Sequence, residues 1–168
     1  PVDAASVVPF DSLTMTPSDA TLFVLNATAG TPLVPGVHYT VRLSAAVGTN
    51  GSIVEIVPLQ PLAPRTRYAF IMTNGIKSAS GAAAGPDTVF GAIRDAHLAG
   101  LTSVPGTPAL TPLFPAVTPL LDAATSVLGL QGTNVIVAWS MQTQSLADVL
   151  DAVVSSATPR PAVPASAG

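Results

Sequence analysis

Residues 53–81 contain two apolar segments of strand length joined by a proline-rich connection. This stretch limits the possible folds more than any other, and we call it the organising stretch. The first segment, Ile53–Val57, is rich in β-branched side chains, which fit a pleated sheet better than a helix. Three prolines between residues 58 and 64 remove backbone donors and keep the connection extended. The second segment, Arg67–Thr73, is apolar on both alternating faces. It therefore predicts an interior strand of a two-layer structure.

Three more segments are predicted to be strands or strand starts. Residues 37–43 alternate apolar and polar side chains, and the Gly48–Gly51 turn should join them to Ile53–Val57 as an antiparallel hairpin. Thr21–Leu25 is a short apolar strand. Phe10 and Leu13 offer a first possible strand near the N-terminus.

Two turns are marked by glycine. The sequence Leu33-Val34-Pro35-Gly36 suits a type II turn, in which glycine takes the positive φ. Asn74 and Gly75 also tolerate positive φ, and they predict a turn after the second strand of the organising stretch.

Helical signals begin after Gly85. Asp87 is a plausible N-cap for a helix over residues 88–98, and the Pro/Gly/Thr-rich residues 100–112 are predicted to be loop. Residues 113–128 repeat apolar side chains at helical spacing. Pro115 fits only the first turn of such a helix, whereas Pro119, which has no N–H, would require a start near Thr118, so two starts stay open.

The segment Asn134–Trp139 is a strong strand with no hairpin partner beside it in sequence. A lone strand is not stable, so we expect it to pair with a strand that is distant in sequence. Residues 145–154 predict a short amphipathic helix capped by Ser145, and residues 158–168 read as a Pro/Ala-rich linker or tail.

The organising stretch resembles bacterial immunoglobulin-like domains of extracellular proteins, in particular the N-terminal domain of bacterial virulence-factor lipases. The pattern P-L-x-P-x-T-x-Y, a hydrophobic strand and N-G-I-K-x-x-x-G carries this resemblance. Its residues are Pro58-Leu59-Gln60-Pro61-Leu62, Pro64, Thr66, Tyr68, Thr73-Asn74-Gly75-Ile76-Lys77 and Gly81. The segment Trp139–Ser145 is similar to the S-F-x-T-x-S ending of the closing strand in these modules. In these modules the closing strand lies antiparallel to the strand that carries the tyrosine, so the resemblance implies that Asn134–Trp139 pairs with Arg67–Thr73.

The resemblance implies a mainly β fold: an immunoglobulin-like β-sandwich with a helical insertion before the last strand and a short C-terminal helix. One such domain is expected over residues 1–157, with a largely helical insertion at 86–132 and the tail at 158–168. In the resembled lipases an α/β-hydrolase domain follows at about this point. The chain, which begins at Pro1, is expected to be a piece of a longer precursor or a mature product.

The resemblance also implies a function. We expect a non-catalytic accessory domain of a secreted or surface-anchored bacterial lipase or esterase, at the cell surface or outside the cell. It would position or shield a downstream catalytic domain, or bind a lipid or cell surface. Two alternatives stay open: a part of a lipase that contributes a lid or acyl-chain channel, and a free-standing adhesion or carbohydrate-binding module.

Composition limits the other classes of function. Net charge is −3 and the six Lys and Arg residues are scattered, so a nucleic-acid partner is not expected. Cysteine is absent, which removes disulfides and thiolate metal sites. No run of about 18 apolar residues exists, so no transmembrane helix is expected.

No residue meets the requirements of a catalytic, cofactor or metal site. No G-x-S-x-G nucleophile elbow occurs: Ser52 lacks the second glycine and Ser80 the first. His97 follows Asp95 and could form half of a dyad, but a solvated or locally bonded ring is favoured. His38 falls on the polar face of its strand, which favours a surface role.

Four further groups have a structural and a functional interpretation. Asp3, Asp11 and Asp19 could bind calcium only if folding brought them together. Glu55, the only glutamate, is expected to face solvent or to pair with Arg42 or Arg67 across strands. Tyr68 and Trp139 are expected to be core anchors rather than a ligand platform. The helix at Leu113–Leu128 is expected to cover an open edge of the sandwich, or else to dock a neighbouring domain or lipid.

Overall fold

The computed structural model describes residues 1–45, 51–145 and 153–156. Within these ranges the chain forms six strands and two α-helices of more than two turns. The strands are β1 (Leu22–Asn26), β2 (Thr31–Pro32), β3 (Tyr39–Ala45), β4 (Ser52–Pro58), β5 (Arg67–Thr73) and β6 (Val135–Gln142), and the helices are α1 (Thr88–Leu98) and α2 (Phe114–Ser126). Helices and strands occupy similar shares of the described residues, so the chain is less dominated by β-structure than the sequence predicts.

The strands form two antiparallel sheets. One has the order β2-β1-β5-β6, and the other is the β3-β4 hairpin. The closing pair joins Tyr68 to Met141 and Phe70 to Trp139, and a register shift follows Met72. The predicted pairing of the tryptophan-bearing strand with the tyrosine-bearing strand, across the helical insertion, is confirmed.

The four-stranded sheet is covered on both faces. Tyr68, Phe70 and Met72 of β5 share a buried cluster with Tyr39 of β3, against which Val41, Val54 and Ile56 of the hairpin also pack. The opposite face, with Ala69 and Ile71, packs against both helices. The helical contributors are Phe90, Leu120, Leu121 and Ala124, and Leu128 joins them from the turn after α2. The described residues therefore form three layers, and β5, which has neighbours on both edges and both faces, lies at the centre.

The helix α2 begins close to the first of the two predicted starts, but its role differs from the prediction. It begins at Phe114, and Pro119 lies inside it. Pro115 occupies the first turn, as expected, where a missing N–H leaves no unmade bond. Its apolar stripe, including Leu121 at 1% exposure, packs on a face of the sheet and does not close an edge. Packing of this stripe offsets the hydrogen bond that Pro119 cannot make.

The predicted cap of α1 is confirmed. Asp87 has an extended backbone, and its Oδ1 accepts hydrogen bonds from the amides of Val89 at 2.7 Å and Phe90 at 3.0 Å. The region predicted as loop after this helix contains a 3-10 helix, Pro108–Leu113, which runs directly into α2.

The N-terminal segment contains no strand over Phe10 and Leu13. Phe10 is buried against Phe23, with ring centroids 5.2 Å apart, but Leu13 is 78% exposed. Thr21 holds this segment to the sheet: its hydroxyl donates to the Ser6 carbonyl at 2.7 Å and accepts from the Val8 amide at 2.9 Å. Backbone bonds add to these side-chain bonds: the Phe10 amide donates to the Leu22 carbonyl at 2.8 Å, and the amides of Thr21 and Leu22 donate to the Val8 carbonyl at 2.9 and 3.1 Å.

The two glycine turns have different physical causes. Gly36 has φ 77°, as the predicted type II turn requires, and the Val37 amide donates to the Val34 carbonyl at 3.4 Å. Residues 74 and 75 form the predicted turn, but neither has a positive φ. A Cβ at Gly75 would lie 2.5 Å from Cγ2 of Thr21. Close approach, rather than backbone dihedral, requires glycine here.

No helix among residues 1–45, 51–145 and 153–156 is long and apolar enough to cross a membrane. The predicted C-terminal helix lies mostly outside the described residues, although 153–156 are helical and exposed. The predicted tail at 158–168 and the Gly48–Gly51 turn, apart from Gly51, also lie outside them. Ser145 itself is not helical.

Candidate functional site

The histidine pair with an acid is real, but its acid is not the predicted one. His97, near the end of α1, lies with Nε2 2.9 Å from Oδ1 of Asp122 on α2. Asp95 instead binds the guanidinium of Arg94 at 2.8 Å. Both carboxylates are more than half exposed, so each pair contributes little to stability. The sequence could not reveal the Asp122 partner because it depends on how α1 packs on α2.

This pair has no nucleophile beside it in the part of the chain that the structure describes. Thr125 and Ser126 follow Asp122, but their hydroxyls donate to backbone carbonyls of their own helix. An acid–base pair of this kind activates a nucleophile only within hydrogen-bond reach. The pair is a surface contact that links α1 to α2.

Arg94 is the one lysine or arginine in residues 86–134, and no sequence pattern singled it out. Its Nη1 donates to the carbonyls of Thr133 at 3.0 Å and Val135 at 2.9 Å. Its side chain is only 12% exposed. The planar guanidinium thereby ties α1 to the first residues of β6.

His38 does not lie on the polar face of a strand. It precedes β3 in the turn after Gly36, and its half-buried ring accepts a hydrogen bond at Nδ1 from the Val34 amide at 2.9 Å. A neutral ring that accepts at Nδ1 carries its hydrogen on Nε2. His38 therefore has an N–H at Nε2 that its hydrogen bond with Val34 does not use.

The acidic residues are held locally. Asp3 accepts from the Ala5 amide, Asp11 from Thr14, and Asp19 from Thr16, each within its own turn. No group of three His, Asp or Glu residues within the described ranges is placed to hold a metal ion. Glu55 lies opposite Arg42 in the β3–β4 register and is exposed. The Ser44 hydroxyl donates to Glu55 at 2.7 Å.

The two aromatic residues predicted to be core anchors differ. Tyr68 is 4% exposed, and its hydroxyl oxygen accepts the Ala63 amide hydrogen at 2.9 Å. Trp139 is 38% exposed and stacks on Phe70, with ring centroids 5.0 Å apart and planes 12° apart. Trp139 thus covers the core from outside, because the β3-β4 hairpin is too narrow to bury every residue on that face of the wider sheet.

Tyr39 is a buried polar group that the sequence did not mark. Its side chain is 2% exposed, and its hydroxyl has no hydrogen-bond partner within the described residues. Burial raises the pKa of this hydroxyl well above its ordinary value, and the negative charge of Asp11 adds to the rise. The alternation that predicted β3 placed Tyr39 inward, but only packing decides whether an inward hydroxyl finds a partner.

Comparisons of the chain with protein-family models, with curated proteins and with solved structures found no match. The function must therefore be argued from the geometry above and from the motif resemblance.

Proposed function

We propose that this chain is a non-catalytic, immunoglobulin-like accessory domain of a secreted or surface-anchored bacterial lipase or esterase. It would present a rigid body that positions or shields a downstream catalytic domain. The observation that carries the proposal is the bond from the Ala63 amide to the hydroxyl of Tyr68 at the start of β5. A tyrosine that opens the penultimate strand and bonds to backbone a few residues upstream is a hallmark of immunoglobulin-like sandwiches.

The sheet arrangement supports the same proposal. The closing strand β6 lies antiparallel beside the tyrosine-bearing strand, and the β3-β4 hairpin packs face to face on the sheet that contains both. The arrangement also departs from a seven-stranded sandwich. The described residues supply six strands, and helices cover the second face of the larger sheet. The insertion before β6 accounts for this third layer.

The distribution of apolar surface favours an accessory role over a lipase lid. A lid must expose an apolar face to its substrate, whereas Leu120, Leu121 and Ala124 of α2 are buried against the sheet. The large exposed apolar side chains that flank α2, Leu113 and Val127, lie at its opposite ends.

The non-catalytic part of the proposal is tested by assaying the purified chain with p-nitrophenyl butyrate and p-nitrophenyl octanoate. We expect wild type and His97→Ala to release p-nitrophenol at the same rate as buffer. Turnover that His97→Ala abolishes, with an unchanged circular dichroism spectrum, would refute the proposal.

The accessory part is tested on the parent protein. We expect the sequence after residue 168 to encode an α/β-hydrolase domain with a G-x-S-x-G elbow. Removal of residues 1–168 from the parent should leave the turnover of soluble esters unchanged. The shortened form should have lower thermal stability or lower activity on emulsified esters. A parent without such a domain, or identical behaviour of both forms, would contradict it.

A further inference from the structure

A cleft of about 260 Å³ opens between the β3-β4 hairpin and the four-stranded sheet, at the end of β5 that carries Tyr68. We call it the inter-sheet cleft. Its apolar walls include Val24, Leu33, Ile56, Leu62, Phe70 and Met141. The volume lies just below the roughly 300–1,000 Å³ of sites for drug-sized ligands, so the cleft suits a smaller molecule.

The polar side chains that line the cleft, those of His38, Tyr39 and Tyr68, can each donate a hydrogen bond. His38 lines it, and the Val34 amide bound to Nδ1 leaves the hydrogen on Nε2. Tyr68 also lines it. Its hydroxyl oxygen accepts from Ala63, but its hydrogen has no acceptor within the described residues. No carboxylate, amide side chain or full positive charge is among the lining residues.

We propose that the inter-sheet cleft binds a small apolar molecule with one uncharged carbonyl group, of the class of short alkyl esters. An apolar body replaces water on the walls, and a carbonyl oxygen accepts from the donors that the protein leaves unpaired. A carboxylate is disfavoured because burying an unpaired charge costs far more than burying a carbonyl. The inference uses only the cleft geometry and is independent of the proposed function.

The fluorescence of Trp139 can report the binding of a ligand in the cleft. Trp139 is the only tryptophan of the chain, and it stacks on Phe70, one of the cleft walls. A ligand that contacts Phe70 changes the surroundings of this one indole. Tryptophan fluorescence therefore measures occupancy directly, without any need for catalysis.

The test is a fluorescence titration of the full chain at pH 8 with methyl hexanoate, sodium hexanoate and hexanol. We expect a saturable change with the ester, and at least tenfold weaker binding of the carboxylate. Hexanol, which has a similar chain but no carbonyl, should bind more weakly than the ester. Equal affinities for ester and carboxylate, or a change that rises linearly with all three probes, would overturn the proposal.

Two matched variants place the site. Ile56→Phe adds bulk to a partly buried wall of the cleft and should abolish the saturable response. Ala116→Phe adds a ring to an exposed position of α2, on the opposite side of the sheet, and should leave the response unchanged. If Ile56→Phe does not fold by circular dichroism, Leu62→Phe fills the same cleft from its rim. An unchanged response in a folded cleft-filling variant would refute the site.

His38→Ala tests the donor at the cleft mouth. We expect it to lower affinity for methyl hexanoate about five- to tenfold, the effect of one hydrogen bond, and to leave hexanol binding unchanged. An equal loss for both ligands would show that His38 contributes packing and not recognition of a carbonyl.

Discussion

Tyr39 and Tyr68 are both buried, but only Tyr68 has a hydrogen-bond partner among the described residues. A buried hydroxyl without a partner loses its hydration and gains nothing in return. We therefore expect Tyr39→Phe to leave the free energy of unfolding unchanged or to raise it by up to about 1 kcal/mol. Urea unfolding followed by circular dichroism measures this change. A loss of stability would mean that the hydroxyl has a partner after all.

The same residue predicts a pH dependence. The pKa of Tyr39 is higher in the folded chain than its ordinary value of about 10 in the unfolded chain. Above pH ~10 the unfolded chain releases this proton while the folded chain retains it, so stability falls as pH rises. We expect Tyr39→Phe to lose stability less steeply than wild type between pH 9 and about 11.5. Parallel curves for the two proteins would contradict a raised pKa.

Tyr68→Phe is the counterpart at a bonded hydroxyl. It removes the acceptor of the Ala63 amide and should lower the free energy of unfolding by about 1 kcal/mol. Since the ring and its packing are kept, the loss of stability reports only the hydrogen bond between the Ala63 amide and the Tyr68 hydroxyl. Comparison with Tyr39→Phe in the same urea titration separates a satisfied hydroxyl from an orphaned one. Equal effects of the two substitutions would argue against a stabilising bond from the Ala63 amide to Tyr68.

Gly75 and Gly132 each lie close to another side chain, and the neighbour decides what alanine costs. At Gly75 the new Cβ would meet Thr21, which two hydrogen bonds hold in place. At Gly132 it would meet the end of the flexible, partly exposed Leu98. We expect Gly75→Ala to cost about 1–3 kcal/mol and Gly132→Ala less than about 1 kcal/mol. Thermal unfolding of both variants tests this order, and the reverse order would contradict it.

At the scale of elements, the start of α1 depends on one side chain that caps two amides. Asp87→Ala should lower the free energy of unfolding by about 1 kcal/mol, because both amides then lose their acceptor. Asp122→Ala is the matched control, since it removes an exposed carboxylate whose pair with His97 contributes at most about 1 kcal/mol and often nothing. A larger loss at Asp122 than at Asp87 would show that the contact between α1 and α2 contributes more to stability than the cap does.

At the scale of the molecule, the helical insertion is part of the core and not an addition to it. Leu121 of α2 is 1% exposed and packs on the face of the sheet that carries Ile71. Leu121→Ala should cost about 2–5 kcal/mol, whereas Leu113→Ala, at a 43% exposed position, should stay within about 0.5 kcal/mol. Similar small effects at both positions would mean that the sheet is stable without its third layer.

The sequence by itself determined the local elements. β-branched runs predicted β4 and β6, alternation predicted β3, and Asp87 predicted the start of α1, because each depends on side chains a few residues apart. An unpartnered strand at β6 also predicted a distant partner, and the resemblance to immunoglobulin-like modules indicated that this partner is β5. These physical causes are contained in short stretches of chain.

Only the tertiary structure decided which faces meet. It placed α2 on the sheet face and not on an edge, gave His97 the carboxylate of Asp122, and left the hydroxyl of Tyr39 without a partner within the described residues. It also opened the inter-sheet cleft, because a two-stranded hairpin cannot cover a four-stranded sheet. Contacts between residues far apart in the chain follow from how layers pack, and no local pattern specifies that packing.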